Sequence, residues 1–451
     1  MTNDRELILK EAPVNKAITS LAVPAIIGMM VNAVYNIVDT LFVGMLHDTT
    51  ALGATTVLFP IFMLISAVGM TFGMGTATVI SRKLGKQDKE AASHAVSTAF
   101  FTTLGIAIIF TILGTIFVTP LLRLFGATET ILDQAEIYGS IIIAFSVFQM
   151  LNMNMNNALR AEGAAKMSAA AIALGAVLNI ILDPVFMFVL DMGLAGAAVA
   201  TVTGQGISTI FLLSYYLRKK SMVRLSLRRF QPSVSIYKQI MAIGIPTFLR
   251  QALSSFAMAM LTNAAAPFGD SAIAAIGITL RVSMMPMMVL FGFSQGFQPM
   301  AGYAYGAKNY ARVRESVKFS IGWTTKFATA VGVLLFIFAG LIMSAFTRDP
   351  EVLERGTLAL RLSVIIMPTL GIQLIYAFLY QALGRGKPSL LLAVARQGIF
   401  FLPLVLIMPG LLGLTGVYIA QPIADALTVG VSIILAVKIN RELKIKETEA
   451  R

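Results

Sequence analysis

Two aspartates, Asp39 and Asp183, stand deep inside apolar stretches of the chain. An ionised carboxylate is costly there and needs a reason. Asn32, Tyr35, Asn36 and Asp39 are spaced i, i+3, i+4, i+7, which on a helix makes one stripe that faces water or protein rather than lipid. Asn179 and Asp183 stand at i, i+4, with Gly175 one turn further back on the same face. Pro184 follows, and its missing N–H frees the carbonyl of Ile180 beside Asp183. The next apolar stretch adds Thr201, Thr203, Gln205 and Ser208. No lysine or arginine lies mid-span in this half to neutralise either acid. Such carboxylates can bind and release a proton near physiological pH, or hold Na⁺ together with asparagine and carbonyl oxygens. The plainer alternative is that Asp183 caps a broken helix and Asp39 bonds its neighbours.

The second half carries the opposite sign. Its deep charges are Arg250, Arg281, Lys326, Arg361 and Arg396, with Asp425 the one clear acid. Arg361 and Arg396 lie near enough to their span ends to snorkel outward. Arg281 does not, and is expected to be a structural charge paired with Asp425. Between the two groups, methionines alternate with asparagines from Met150 to Asn157. Gln149, Met153, Asn156 and Arg160 share one face, and with Asn157 they make candidate cavity-lining residues. Pro24 and Pro184 are candidate hinges.

Other chemistries find little material. There is no cysteine, and the two histidines, His47 and His94, sit near segment ends, so no metal site is expected. Gly73-Met-Gly75 lies inside an apolar helix, which is no dinucleotide loop, and no P-loop occurs. No nucleophile-and-base pair stands out, so an enzyme is not expected, nor a cofactor beyond the coupling ion, H⁺ or Na⁺.

The elements that must hold these residues are membrane helices. The 451 residues are 57% hydrophobic and 13% charged, with mean hydropathy +0.81, against roughly 25% charged in a soluble protein. At about 20 residues per crossing, apolar runs give twelve spans: 17–46, 52–81, 92–119, 132–159, 167–190, 193–217, 239–266, 272–303, 314–346, 352–382, 388–409 and 412–438. The first run is too long for a signal peptide. Tight turns are expected at 190–193 and at Pro409-Gly410. Gly69-xxx-Gly73 and Gly292-xxx-Gly296 allow close helix packing.

The net charge of +13 does not point to nucleic acid, because the basic residues cluster in short connections. The connections before the first span and after every even-numbered one, with the tail to Arg451, are basic. The others hold only Arg123, Arg348 and Arg355 among acids. The positive-inside rule places both termini in the cytoplasm. The acid-free connector 218–238 is read as a topology determinant and flexible tether, the alternative being a contact to anionic headgroups.

The chain also repeats itself at an offset of 220 to 222 residues: Pro24 as Pro246, Gly75 as Gly296, Leu124-Phe125 as Ala345-Phe346, Gly163 and Lys166 as Gly384 and Lys387, Gly193 and Gly196 as Gly413 and Gly416. Six spans per half makes the repeat parallel, about an axis along the membrane normal. The expected architecture is all-α and polytopic: residues 1–217 as one six-helix bundle, 218–238 as connector and 239–451 as the second bundle with a short basic tail. Because the halves bury their faces against each other, a monomer is expected.

The run from Pro24 and Gly28 to Tyr35, Asn36 and Asp39 resembles the first span of multidrug and toxic compound extrusion (MATE) transporters. Asn179 to Pro184, Leu159-Arg160-Ala161-Glu162-Gly163 and the paired Gly193 and Gly413 motifs extend the resemblance over nearly the whole chain. Among branches it looks most like the bacterial MepA-like and DinF-like exporters. The resemblance implies two six-helix bundles in a V, alternating between inward- and outward-open states in the cell membrane. It also implies export of amphipathic organic cations against entry of H⁺ or Na⁺, with Asp39, Asp183, Asn36 and Asn179 at the first-half site. One branch carries a glutamate in the seventh span where this chain has Ser254 and Ser255, so no sodium site of that kind is expected. A flippase for a lipid-linked saccharide or other anionic lipid is the competing function, and Arg250 and Arg281 give it footing.

Overall fold

A chain in hydrocarbon must satisfy its own N–H and C=O groups, and a helix does so within one segment. The computed structural model describes residues 2–46 and 48–449, so His47 and Arg451 lie outside the described residues. Among the described residues seventeen α-helices follow one another. They are α1 (Thr2–Lys10), α2 (Val14–Gly44), α3 (Thr49–Gly85), α4 (Lys89–Ile116), α5 (Val118–Leu124), α6 (Glu129–Ala144), α7 (Ser146–Ala161), α8 (Ala165–Pro184) and α9 (Gly193–Leu217). Then come α10 (Val234–Ala265), α11 (Asp270–Gly306), α12 (Tyr310–Ile337), α13 (Ala339–Phe346), α14 (Pro350–Ile365), α15 (Met367–Ala382), α16 (Gly386–Val394) and α17 (Leu402–Glu449). π-helical turns at Val185–Val189 and Ala395–Phe401 interrupt the fifth and eleventh spans.

Nine helical runs among the described residues are long and apolar enough to cross a membrane. Counting the bent pairs α6–α7 (47°) and α14–α15 (49°) as single spans gives eleven. The last run, Gly386–Glu449, is 64 residues long, more than twice the ~20 residues that one crossing needs. It breaks at Gly413, where φ is 57° and ψ −140°, a conformation open to glycine alone. The run is therefore two spans, and the total is twelve. The expected turn at Pro409-Gly410 moves to Gly413, because the helix runs on past the proline. Its repeat mate Gly193 also has positive φ, 53°, and closes the turn expected at 190–193.

The basic connections meet at the end of the molecule that holds α1 and the end of α17. Lys89 pairs with Glu6 at 2.9 Å, Arg314 with Glu447 at 2.7 Å, and Arg312 Nη2 donates to the carbonyl of Ala12 at 2.6 Å. The connector is not a loose tether. Ser93, Ser97 and Thr98 on α4 accept hydrogen bonds from the N–H groups of Arg224, Ser226 and Gln231. Glu162, fully buried, accepts from the Ser221 hydroxyl (2.7 Å) and from the N–H of Met222 (2.8 Å) and Val223 (3.3 Å). Burial pushes its carboxyl up to about 7, against the pull of those bonds and of Arg5. A connector without acids docks on one buried acid and three hydroxyls supplied by the first half.

The halves lock together along glycines at this same end. A Cβ on Gly292 of α11 would stand 2.7 Å from the Cα of Ile26 on α2, and one on Gly244 of α10 would stand 2.8 Å from the carbonyl oxygen of Thr71 on α3. Gly296 meets Ala22, Gly75 meets Ile240, and Gly306 meets Arg82 in the same way. Each half thus presses the first span of its partner with its own second span, as a parallel repeat requires. Gly69 and Gly73 do the same work inside the first half, against Met150 and Met153 of α7. Further from the termini, Asn32, Asn36, Ser255 and Arg281 are exposed in mid-span. Exposed polar groups at that depth require water, so a cleft opens between the halves away from the termini.

Candidate ion and substrate site

The first half draws its two acids together. Asn179 Nδ2 on α8 donates to Asp183 Oδ1 at 3.2 Å and to Thr201 Oγ1 of α9 at 3.3 Å. Asp183 is fully buried, and Asn179 and Thr201 nearly so. Asp39 approaches from α2, close enough for its charge to act on Asp183. Both acids also act on the hydroxyls of Tyr35 and of Tyr138 on α6. Tyr138 has Gln134 one turn before it on α6 but no acid or asparagine at helical spacing, and the sequence does not single it out.

Three oxygens in this cluster are sealed from water without a hydrogen bond: Asp39 Oδ1, Asp183 Oδ2 and Asn179 Oδ1. An unsatisfied buried acceptor costs about 1–3 kcal/mol. All three are acceptors, so what the cluster lacks is a donor or a cation. A proton on either carboxylate supplies the donor; Na⁺, which takes carboxylate and amide oxygens, answers the same need. Asn36 is not part of this cluster. It is exposed and its Nδ2 donates to the Asn32 carbonyl (2.7 Å) and Oδ1 (3.0 Å), so the stripe splits, Tyr35 and Asp39 inward, Asn32 and Asn36 toward the cleft. Gln205 is half-buried one turn past Thr201 and makes no hydrogen bond to the described residues. Pro184 closes α8 and leads into the π-helical turn, and Pro24 lies within α2.

The MatE family profile matches the chain twice, over residues 24–185 and 246–407, each match starting on one of the repeated prolines. The chain belongs to the MatE family. It is therefore a membrane transporter by family, not an enzyme. It is 26% identical over 449 residues to a protein named Multidrug export protein MepA from Staphylococcus aureus, with 100% of this chain and 99% of that one covered. The fold matches a crystal structure of MATE in complex with MaL6 at a TM-score of 0.92 and 28% identity, covering 97% of this chain and 99% of that one. It also matches a structure described as the outward-facing conformation of a multidrug resistance MATE family transporter, at 0.91 and 28%, covering 97% and 98%.

Within this MATE fold Asn157 and Arg160 of α7 line a small cavity with Gln295 and Gln298 of α11, whereas Gln149, Met153 and Asn156 are taken up in helix packing. Gln149 is buried and donates to Ser66 Oγ at 2.6 Å. Asn156 is buried, donates to Asn152 Oδ1 at 2.6 Å and accepts from Ser168 Oγ at 2.8 Å. Met153 packs on Gly69, and Asn157 accepts from Arg160 Nη2 at 2.6 Å. The small residues of α3 let α7 approach so closely that Gln149 and Met153 are used up in joining helices.

The second-half charge pairing also differs from expectation. Asp425 accepts from Arg396 Nε at 2.6 Å and Nη2 at 3.2 Å, and from Gln421 Nε2 at 3.0 Å. Arg396 does not snorkel, and Arg281, exposed in mid-span, is not the partner of Asp425. Asp425→Asn should strip Arg396 of its counter-charge and lower stability by about 3–5 kcal/mol, read as an earlier thermal unfolding of the detergent-solubilised protein. An unchanged midpoint would mean that water already carries that charge.

Proposed function

We propose that this transporter exports amphipathic organic cations from the cell in exchange for H⁺, with Na⁺ as the alternative coupling ion. The observation that carries this reading is the set of three sealed acceptor oxygens on Asp39, Asp183 and Asn179, with no basic side chain bonded to them among the described residues. A drug cation and a proton compete for the two carboxylates, and each is favoured in a different state of the cleft, which is what coupled exchange requires. Pro24 and Pro184, each missing a helical N–H, are the proposed points where α2 and α8 bend as the acids change charge.

The reading includes two bundles, residues 1–217 and 239–451, joined by 218–238, acting as a monomer in the cell membrane. The excess of lysine and arginine at the end holding both termini supports a cytoplasmic location for that end. The cleft then faces outward. The relative named for multidrug export and the one described as outward-facing support the same view.

Ethidium efflux from proteoliposomes, with pH and Na⁺ gradients imposed separately, tests it. Efflux driven by the pH gradient alone is expected. A strict Na⁺ requirement would make the two acids a sodium site, and no efflux under either gradient would point to another cargo, the anionic-lipid flippase first.

A further inference from the structure

We propose that Arg250 is a recognition site for an anionic oxygen group, a carboxylate above all, on the transported molecule. This builds on the export reading and extends it: beside simple cations, the cleft takes zwitterions, whose positive end lies on the acids of the first half and whose carboxylate lies on the second.

Arg250 lies one turn past Pro246 in α10 and is half-buried. Its guanidinium stands 5.4 Å from the ring centre of Phe291 on α11, and it forms no hydrogen bond or ion pair with the described residues. The charge that acts on it is Arg396, of the same sign. Arg396 is already neutralised by Asp425, whose Oδ1 it meets at 2.6 Å. The neighbourhood therefore keeps one full positive charge with nothing to balance it. A guanidinium does not shed its proton, and its N–H fork matches the two oxygens of a carboxylate. Phe291 is an apolar neighbour that takes none of the guanidinium's donors, so the fork keeps its hydrogen-bonding capacity. The next residue, Gln251, donates to Met63 Sδ on α3 at 3.4 Å across the seam, which sets Arg250 at the floor of the cleft.

The repeat sharpens the contrast. At the offset of the two prolines, Arg250 corresponds to Gly28, and Asp39 corresponds to Leu261. Neither charge has a counterpart in the other half. The first half thus holds negative charge just behind its side of the cleft and the second half holds a positive charge at a different depth, an arrangement that suits a molecule bearing both signs once the acids open to the cleft.

The test compares rhodamine as its free acid and as its methyl ester, which share the dye cation and differ by one carboxylate. In proteoliposomes of the full chain, Arg250→Gln should raise KM for the acid roughly tenfold, the loss of one charge-assisted contact, and leave the ester within about twofold. Arg250→Lys, which keeps the charge without the fork, should fall between; it also serves if the glutamine variant fails to fold. Equal changes for acid and ester, or no change in either, would overturn the site. Equilibrium binding of both dyes to the solubilised protein reads the same difference if neither is exported, so failure of the export reading stays distinct from failure of this one. Vesicles of phosphatidylcholine with and without phosphatidylglycerol separate a substrate carboxylate from a lipid headgroup. Competition by phosphatidylglycerol that Arg250→Gln abolishes would assign the guanidinium to lipid and overturn the proposal.

Discussion

Asp183→Asn is expected to insert and fold like the parent chain yet lose concentrative drug efflux by about 100-fold, the upper range of coupling between two bound ligands. The substitution is nearly isosteric, so the packing that buries Asp183 completely is kept, as is an acceptor for Asn179 Nδ2. What goes is the ionisable group. Without it the site cannot alternate between a charged form that holds a cation and a neutral form that releases it. Asp39→Asn should behave alike, because Asp39 and Asp183 act on each other and share the neighbours Tyr35 and Tyr138. Drug resistance of cells, normalised to membrane protein level, checks both. Full resistance in either variant would remove that acid from the mechanism.

Gly296→Leu should stop transport for a different reason, by preventing the seam at the termini-bearing end from closing. Gly296 lies against the backbone of Ala22, and its neighbour on the same face, Gly292, lies against Ile26. Backbone cannot yield as a flexible side chain can, so α2 and α11 would be forced apart and the state described above would be lost. The chain contains no cysteine, which permits a direct readout. Gln87 Nε2 and the Tyr303 hydroxyl meet at 3.1 Å across the seam, so a Gln87→Cys, Tyr303→Cys pair should be joined by a short bismaleimide cross-linker that spans the two shortened side chains. Adding Gly296→Leu should abolish the cross-link and the transport together. Gly277→Leu, where an added Cβ meets nothing within 4 Å, is the control and should change neither. Cross-linking that survives Gly296→Leu would show that the seam has room to spare.

How far the sequence could be read depended on whether a feature is local. Span count, the sidedness of the basic loops and the close packing at Gly69, Gly73, Gly292 and Gly296 follow from composition and spacing along one helix, and the structure bears them out. The meeting of Asn179 with Asp183 was legible for the same reason, since i, i+4 neighbours touch on any helix. Pairing between helices was not. Which arginine neutralises Asp425 depends on how α17 and the π-helical turn at Ala395–Phe401 face each other, and periodicity within either segment does not encode it. Gln149 and Asn156 of α7 misled because a polar stripe serves helix packing as well as a cavity, and the proximity of α3 and α8 decides. The connector looked free because its partners, Ser93, Ser97, Thr98 and Glu162, are far away in the chain. Gly413 rather than Pro409-Gly410 makes the turn because proline keeps a helical φ and bends a helix without reversing it, whereas the positive φ of the reversal demands glycine.

The central claim is that a drug cation and a proton compete for Asp39 and Asp183. It is tested most directly by adding tetraphenylphosphonium to the solubilised protein in weakly buffered solution and measuring proton release. The parent chain is expected to release protons as the cation binds, and Asp183→Asn to bind more weakly and release fewer. Binding of equal strength in both proteins, unaccompanied by proton release and unaffected by pH, would contradict the account.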